Sequence, residues 1–337
     1  MKKNLFMVML LIVALALTLA GCKNRGGGST TADDGTKIGV SIMELTAYTW
    51  YLGVIDGCNQ WAQENPDAKV TFQFEDSKSD VSTMLNNIDN LITAGSKGII
   101  LFPADASSAI PVVKQYTAQG IPFVIGDYAQ QPESPADAVW KTFVGHDMTA
   151  LGESSGRVAV DYLKTLGKTD PVCLFITRPT SGQVSVDRFE GFKKVVLASF
   201  PNARIIEEGD TGAGSRASSQ DLMENVLQRE PLIDVVSGHN DAEVIGAYNA
   251  AVSQNRTTIK FIGIAGDKDV LGYITNGNAA WIGEVLQDPV VLGHTAMDAM
   301  WNSLQGKELP PKYDLPQPEA ITPANVSNYN WQTWSWL

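Results

Sequence analysis

From residue 37 onward, short runs rich in β-branched residues alternate with longer amphipathic stretches. Lys37 to Met43 (KIGVSIM), Val70 to Glu75, Gly98 to Phe102 (GIILF) and Pro122 to Asp127 (PFVIGD) have the pattern of strands. Tyr51 to Glu64, Asp80 to Ala94 and Ala106 to Gln119 have the pattern of helices. In the second of these, Met84, Leu85, Ile88, Leu91 and Ile92 share one face. Strands starting at 37, 70, 98 and 122 recur at about 30 residues, the length of a βαβ unit. The pattern restarts with a helix over Met148 to Leu166 and a strand over Val172 to Thr177. A helix carrying Arg188 then runs to Ser199, followed by strands over Ala203 to Asp210, Asp234 to Gly238, Lys260 to Ala265 and Ala280 to Val285. Helices fill the gaps, and one closes the series from Pro289 to Leu304. Such alternation predicts an α/β protein with parallel sheets covered on both faces. About ten strands suit two sheets better than one.

The ends depart from this pattern. Lys2 and Lys3 precede an apolar run from Leu5 to Ala20, and Leu19-Ala20-Gly21-Cys22 follows. A basic start, a short apolar core and small residues before a cut mark an export signal. The Leu-Ala-Gly-Cys ending resembles the bacterial lipoprotein signal, in which Cys22 takes a diacylglyceryl group and residues 1–21 are removed. The run is shorter than the roughly 20 residues a bilayer span needs. Residues 22–36 (CKNRGGGSTTADDGT) have no apolar period and suit a flexible tether. Near the other end, 309–323 is proline-rich, and Trp331, Trp334 and Trp336 close the chain. These tryptophans are expected to pack on a lobe surface.

Charge narrows the partners. The formal net charge is −12, and −14 without Lys2 and Lys3. An acidic surface repels phosphate backbones, so no nucleic-acid partner is expected. It also disfavours broad contact with anionic lipid, so the membrane link should be the lipid anchor alone. Export argues against most ATP- or NAD-dependent enzymes. Cys58 and Cys173, in neither case part of a CxxC pair, suit buried thiols, with a bridge between them left open. His146, His239 and His294 stand at no metal-ligand spacing, and no GxSxG, HExxH or P-loop occurs. No metal, cofactor or catalytic centre is expected.

In open parallel sheets ligands bind beyond the carboxyl ends of the strands. Those ends carry Glu44, Asp76, Asp105, Asp127 and Tyr128 in the first half. The second half has Arg178, Asp210, His239-Asn240-Asp241, Asp267 and Glu284. Tyr48-Thr49-Trp50-Tyr51 lies just past the first strand. Aromatic faces beside planar hydrogen-bonding groups suit a sugar: its C–H face stacks, and carboxylate, amide and guanidinium groups take its hydroxyls.

The chain here resembles the periplasmic binding proteins of the ribose and galactose type, the sugar-capturing subunits of bacterial ABC importers. The resemblance runs from Lys37 to Tyr313. It rests on the order and spacing of IGVSIM, Trp50-Tyr51, Asp56-Gly57, IILFPAD, IPFVIGD, VGHD, DRFEGF, HNDAEVIGA, FIGIAGD and QDPVVLG. It implies two doubly wound lobes joined by three crossovers near His146, Val285 and Tyr313. One lobe would be 37–146 with 286–313, the other 147–285 with 314–337. It implies a monomer that holds a sugar in the cleft and presents the closed form to the permease. Carried over by motif, Trp50 and Tyr51 are the stacking aromatics, and Asp127 and Arg188 meet hydroxyls from opposite lobes. Asn240 and Glu284 also line the cleft, with Glu44, Asp105, Tyr128 and Asp267 as further candidates. Tyr128 stands where the ribose branch has Arg, Ala265 where Asp is common, and Phe102 where Asn is usual. The fold expectation tolerates these departures, whereas the sugar's identity does not follow. A sensor that serves a chemoreceptor or takes a signalling molecule is the alternative. An enzyme would need a carboxylate pair such as Asp127 and Glu284. Gly212 to Ala217 fits a dinucleotide loop in form, at odds with export.

Overall fold

The computed structural model describes residues 35–46, 49–127, 139–210, 212, 214–316 and 319–337. Their strands form two parallel sheets. The first contains β1 (Thr36–Ile42), β2 (Val70–Asp76), β3 (Gly98–Leu101), β4 (Phe123–Gly126), β5 (Thr142–Gly145) and β11 (Lys312–Asp314), in the order β11-β5-β4-β3-β1-β2. The second contains β6 (Val172–Thr177), β7 (Arg204–Gly209), β8 (Val235–Gly238), β9 (Lys260–Ala265) and β10 (Trp281–Leu286), in the order β10-β9-β8-β6-β7.

Alternating side-chain direction explains why each sheet needs helices on both faces. Ile99 and Leu101 of β3 enter one apolar cluster, with Met84, Ile88 and Leu91 of α2 (Val81–Thr93). Ile100 and the following Phe102 enter the other, with Leu292 and Met297 of α9 (Pro289–Leu304). In β6, Leu174 and Ile176 face one cluster, and Cys173 and Phe175 the opposite one. Central β3, β4 and β8 are buried throughout, while the edge strands β2 and β7 are partly exposed. Cys58 and Cys173 are free and buried in the cores of different sheets, so they form no bridge.

The chain passes between the two sheets three times. It leaves the first after Gly145 to enter α4 (Met148–Thr165), and returns after Leu286 to enter α9. It leaves again after Asp314, and Ile321 pairs with Glu284 through hydrogen bonds of 2.7 and 2.8 Å. His146 Nε2 lies 3.1 Å from the Asp288 carbonyl oxygen and links the first two crossovers.

Two strands were not marked by the pattern. β5 has four residues and β11 three, the latter between Pro311 and Pro316. Runs this short carry no period, and β11 lies at the sheet's edge, where nearby prolines cost the ladder least. The closing tryptophans also do more than cover one lobe. Trp331 and Trp334 pack on the second sheet's core. The Trp336 ring reaches both Gly53, on α1 (Trp50–Glu64), and Gly266, after β9. Thr49 Oγ1 donates to the Trp336 carbonyl at 3.0 Å, and Ser335 Oγ donates to Asp56.

Candidate ligand-binding site

The carboxyl ends of both sheets enclose a cavity of about 210 Å³. Trp50, Tyr51 and Asp127 line it from the first sheet's side. Arg178, Arg188, His239, Asn240 and Ala265 line it from the second, and Gln287 from the second crossover. Met43, Ser181 and Val184 complete the wall.

Asp127 follows β4 at a backbone φ of 74°, a conformation seldom adopted by a side-chain-bearing residue. Its N–H donates to the Val144 carbonyl at 3.0 Å. Oδ2 accepts from the Tyr51 hydroxyl at 2.6 Å, and Oδ1 is buried with no partner. Burial raises the Asp127 pKa to about 6, against the Tyr51 hydrogen bond and the positive charge of Arg188. Trp50 is pinned by a 2.8 Å bond from Nε1 to the Gln287 carbonyl and meets Tyr51 edge-on.

Arg188 lies on α5 (Gln183–Ser199), which packs on α4 at very short range. A Cβ on Gly152 would fall 2.0 Å from the Arg188 carbonyl, and one on Gly191 2.2 Å from that of Thr149. Only glycine permits this approach, and it sinks the Arg188 guanidinium into the wall. Nη1 donates to the His239 carbonyl, and Nη2 to Gln287 Oε1 at 2.7 Å. Nε has no partner. Burial lowers the Arg188 pKa to about 10, opposed first by Asp127 and then by Asp241, so the group stays cationic at neutral pH. His239 is driven down to about 2 by burial and by the charges of Arg188 and Arg178. Its imidazole is therefore neutral, and Nδ1 is buried without a partner.

Arg178 is held in place by its neighbours. Nε donates to Glu243 Oε1 at 2.6 Å, and Nη2 to Asn240 Oδ1 at 3.2 Å. Asn240 Oδ1 also accepts from the Ala242 N–H and so caps α7 (Asp241–Ser253). Capping and cavity lining thus coincide in one residue. Ala265, at a φ of 135°, is the second strained position on the wall.

Trp50, Tyr51, Asp127, Arg188 and Asn240 are therefore brought together. Glu284 is not on the wall: it is fully buried in β10, with Oε1 accepting from the Gly266 N–H at 2.7 Å. Asp105 caps α3 (Ala106–Thr117). Asp267 caps α8 (Lys268–Thr275) and pairs with Arg216 at 3.0 Å. Glu44 is buried, accepts from the Thr46 N–H at 2.7 Å and is not among the lining residues. Tyr128 and Cys22 lie outside the described residues. Arg178, His239 and Gln287 were not among the candidates, although Arg178 and His239 end strands and Gln287 opens QDPVVLG. Among the described residues, no cluster of His, Cys, Asp and Glu could hold a metal ion.

A family model described as a periplasmic binding protein domain matches residues 38–308. This chain belongs to that family. The xylitol-binding protein of Mycolicibacterium smegmatis is 28% identical over 320 residues, covering 93% of this chain and 84% of that protein. The ribose import binding protein of Bacillus subtilis is 27% identical over 234 residues, covering 69% and 72%. Among solved structures, an ABC transporter solute-binding protein from Mycobacterium smegmatis with bound glycerol superposes with a TM-score of 0.70 at 26% identity, covering 87% of this chain and 96% of that one. A periplasmic ribose ABC transporter protein from Conexibacter woesei gives 0.76 at 19% identity, covering 87% and 94%. At that identity the likeness concerns the fold, and the periplasmic binding protein architecture is common to both.

Proposed function

We propose that this protein is an extracytoplasmic solute-binding lipoprotein that captures one sugar or polyol between its lobes and delivers it to an ABC importer. The observation that carries the proposal is the set of buried, unpartnered atoms on the cavity wall: Asp127 Oδ1, Arg188 Nε and His239 Nδ1. Buried polar atoms are normally paired. An acceptor, a charged donor and a neutral imidazole left open around one small cavity suit a polyhydroxylated guest. Trp50 and Tyr51 offer ring faces or edges to its C–H groups. The xylitol- and ribose-binding relatives support the same class. A glycosidase pairing of Asp127 with Glu284 lacks its geometry, because Glu284 is off the cavity wall.

A thermal-shift screen against pentoses, hexoses, deoxy sugars and polyols tests this, since a ligand bound only by the folded state raises the midpoint. One class should bind 1:1 and be recovered unchanged; no response to any of them would contradict the proposal. Anchoring is tested separately. Cys22→Ser should release soluble or unprocessed protein, and full membrane retention would overturn it.

A further inference from the structure

Behind the wall, Asp241 and Glu284 form a buried pair of carboxyl groups. Asp241 is 3% exposed and Glu284 0%. Each spends one oxygen on the turn after β9: Asp241 Oδ2 accepts from the Gly266 and Asp267 N–H groups at 3.0 and 2.9 Å, and Glu284 Oε1 from Gly266 at 2.7 Å. Among the described residues, no N–H group reaches the other two oxygens, Asp241 Oδ1 and Glu284 Oε2. Those oxygens converge. A Cβ on Gly263 would lie 1.9 Å from Glu284 Oε2 and 2.2 Å from Asp241 Oδ1, so the missing side chain leaves the space in which they meet. Two ionised carboxylates cannot occupy such a site together, and a hydrogen bond between them requires a proton.

We propose that Asp241 and Glu284 share one proton, and that this shared proton holds the Ala265–Gly266–Asp267 turn in the form that completes the ligand cavity. They are positioning residues. Ala265 lines the cavity at its strained φ, and the two carboxyls grip the amides directly after it. The role in binding rests on the cavity being the ligand site; the shared proton does not.

The surroundings favour the protonated pair. Burial raises both carboxyls above their ordinary values, and the negative charge of Asp267 adds to both. The charge of Arg188, from α5, is favoured first by Asp127 and then by Asp241. Arg178 and Glu243 are paired with each other. Asp267 and Asp269 on α8 are paired with Arg216. On α4, which packs on β10, Val158 faces Gly283, while Glu153 pairs with Arg157 and Lys194. Because both folded-state pKa values are raised, the pair's contribution to stability is fully present below pH 4 and is lost as the pH rises through the raised values of the two groups.

Glu284→Gln tests the proposal, since its amide can donate to Asp241 Oδ1 without titrating. In the ligand-free protein, the unfolding midpoint should fall between pH 5 and pH 9 more steeply in the wild type than in the variant. Amide exchange of Gly266 and Asp267, corrected for intrinsic rates, should lose protection between pH 5 and pH 9 in the wild type alone. For xylitol and D-ribose as probes, Kd should rise by up to tenfold per pH unit once the alkaline pH removes the shared proton, with a flatter profile in Glu284→Gln. Equal slopes in the two proteins, or pH-independent protection of both amides, would overturn the shared proton. If neither probe binds while the midpoint and exchange profiles hold, the sugar reading fails and the pair stands. Asp241→Asn is the second variant should Glu284→Gln fail to fold, with the same profiles expected and the same outcomes decisive.

Discussion

Asp127 and Arg188 divide their bonds in the same way: each spends part of its polar surface on the protein and has one buried atom without a partner. Tyr51 occupies one oxygen of Asp127, while His239 and Gln287 occupy the terminal nitrogens of Arg188. The frame is thereby fixed before a ligand arrives, which lowers the ordering cost of binding. Asp127→Ala should weaken binding by about 1.5–3 kcal/mol, the scale of a bond to a charged group, as measured by calorimetry. Arg188→Ala should do at least as much, and Arg188→Lys should not restore affinity, because an ammonium cannot reproduce the planar fork. Asp127 also sets an acid limb. With its pKa raised to about 6, the accepting carboxylate is lost as the pH falls through 6, so affinity should decline there. Calorimetry at pH 5 and pH 7 checks this, and equal affinity would remove Asp127 from the binding surface. At this scale the sequence shows which residues end strands and not what each does there. Asp105 and Asp267 occupy positions like that of Asp127 but serve as helix caps, because one oxygen acceptor suits both tasks. Glu284 sits within its strand, where one step of register separates the wall from the layer behind it.

Among elements, the long ones were legible and the short ones were not. Helical and strand periods revealed the βα units because each needs an apolar face of regular spacing. β5 and β11 were invisible because pairing with neighbouring strands, in β11's case with one far back along the chain, rather than local pattern makes them strands. The C-terminal tail has the same character. No period predicts that Trp336 will lie between Gly53 and Gly266, yet both glycines leave room for its ring. Trp334 stacks on it with centroids 5.0 Å apart. Trp336 is 4% exposed, so Trp336→Ala should lower unfolding stability by about 3 kcal/mol, the low end for a buried tryptophan. Since the ring touches elements behind both cavity walls, the variant should also lose ligand affinity. Chemical denaturation alongside titration measures both. An unchanged denaturation midpoint would show that the tail is not part of the packed body.

The described residues form two separately cored sheets joined by three crossovers, and Asp127, Arg188 and His239, each with a buried unpartnered atom, line the cavity at their carboxyl ends. Asp127 ends a strand of the first sheet, and Arg188 belongs to a helix packed on the second. A ligand touching both gains contacts in the closed form that neither lobe supplies alone, which shifts the hinge equilibrium by its differential affinity. Small-angle scattering, with and without a saturating amount of the sugar or polyol selected by the thermal screen, tests this most directly. The radius of gyration should fall on binding in the wild type and stay at the ligand-free value in Arg188→Ala at the same occupancy. An unchanged radius in the saturated wild type, or full compaction in Arg188→Ala, would contradict ligand capture between the lobes.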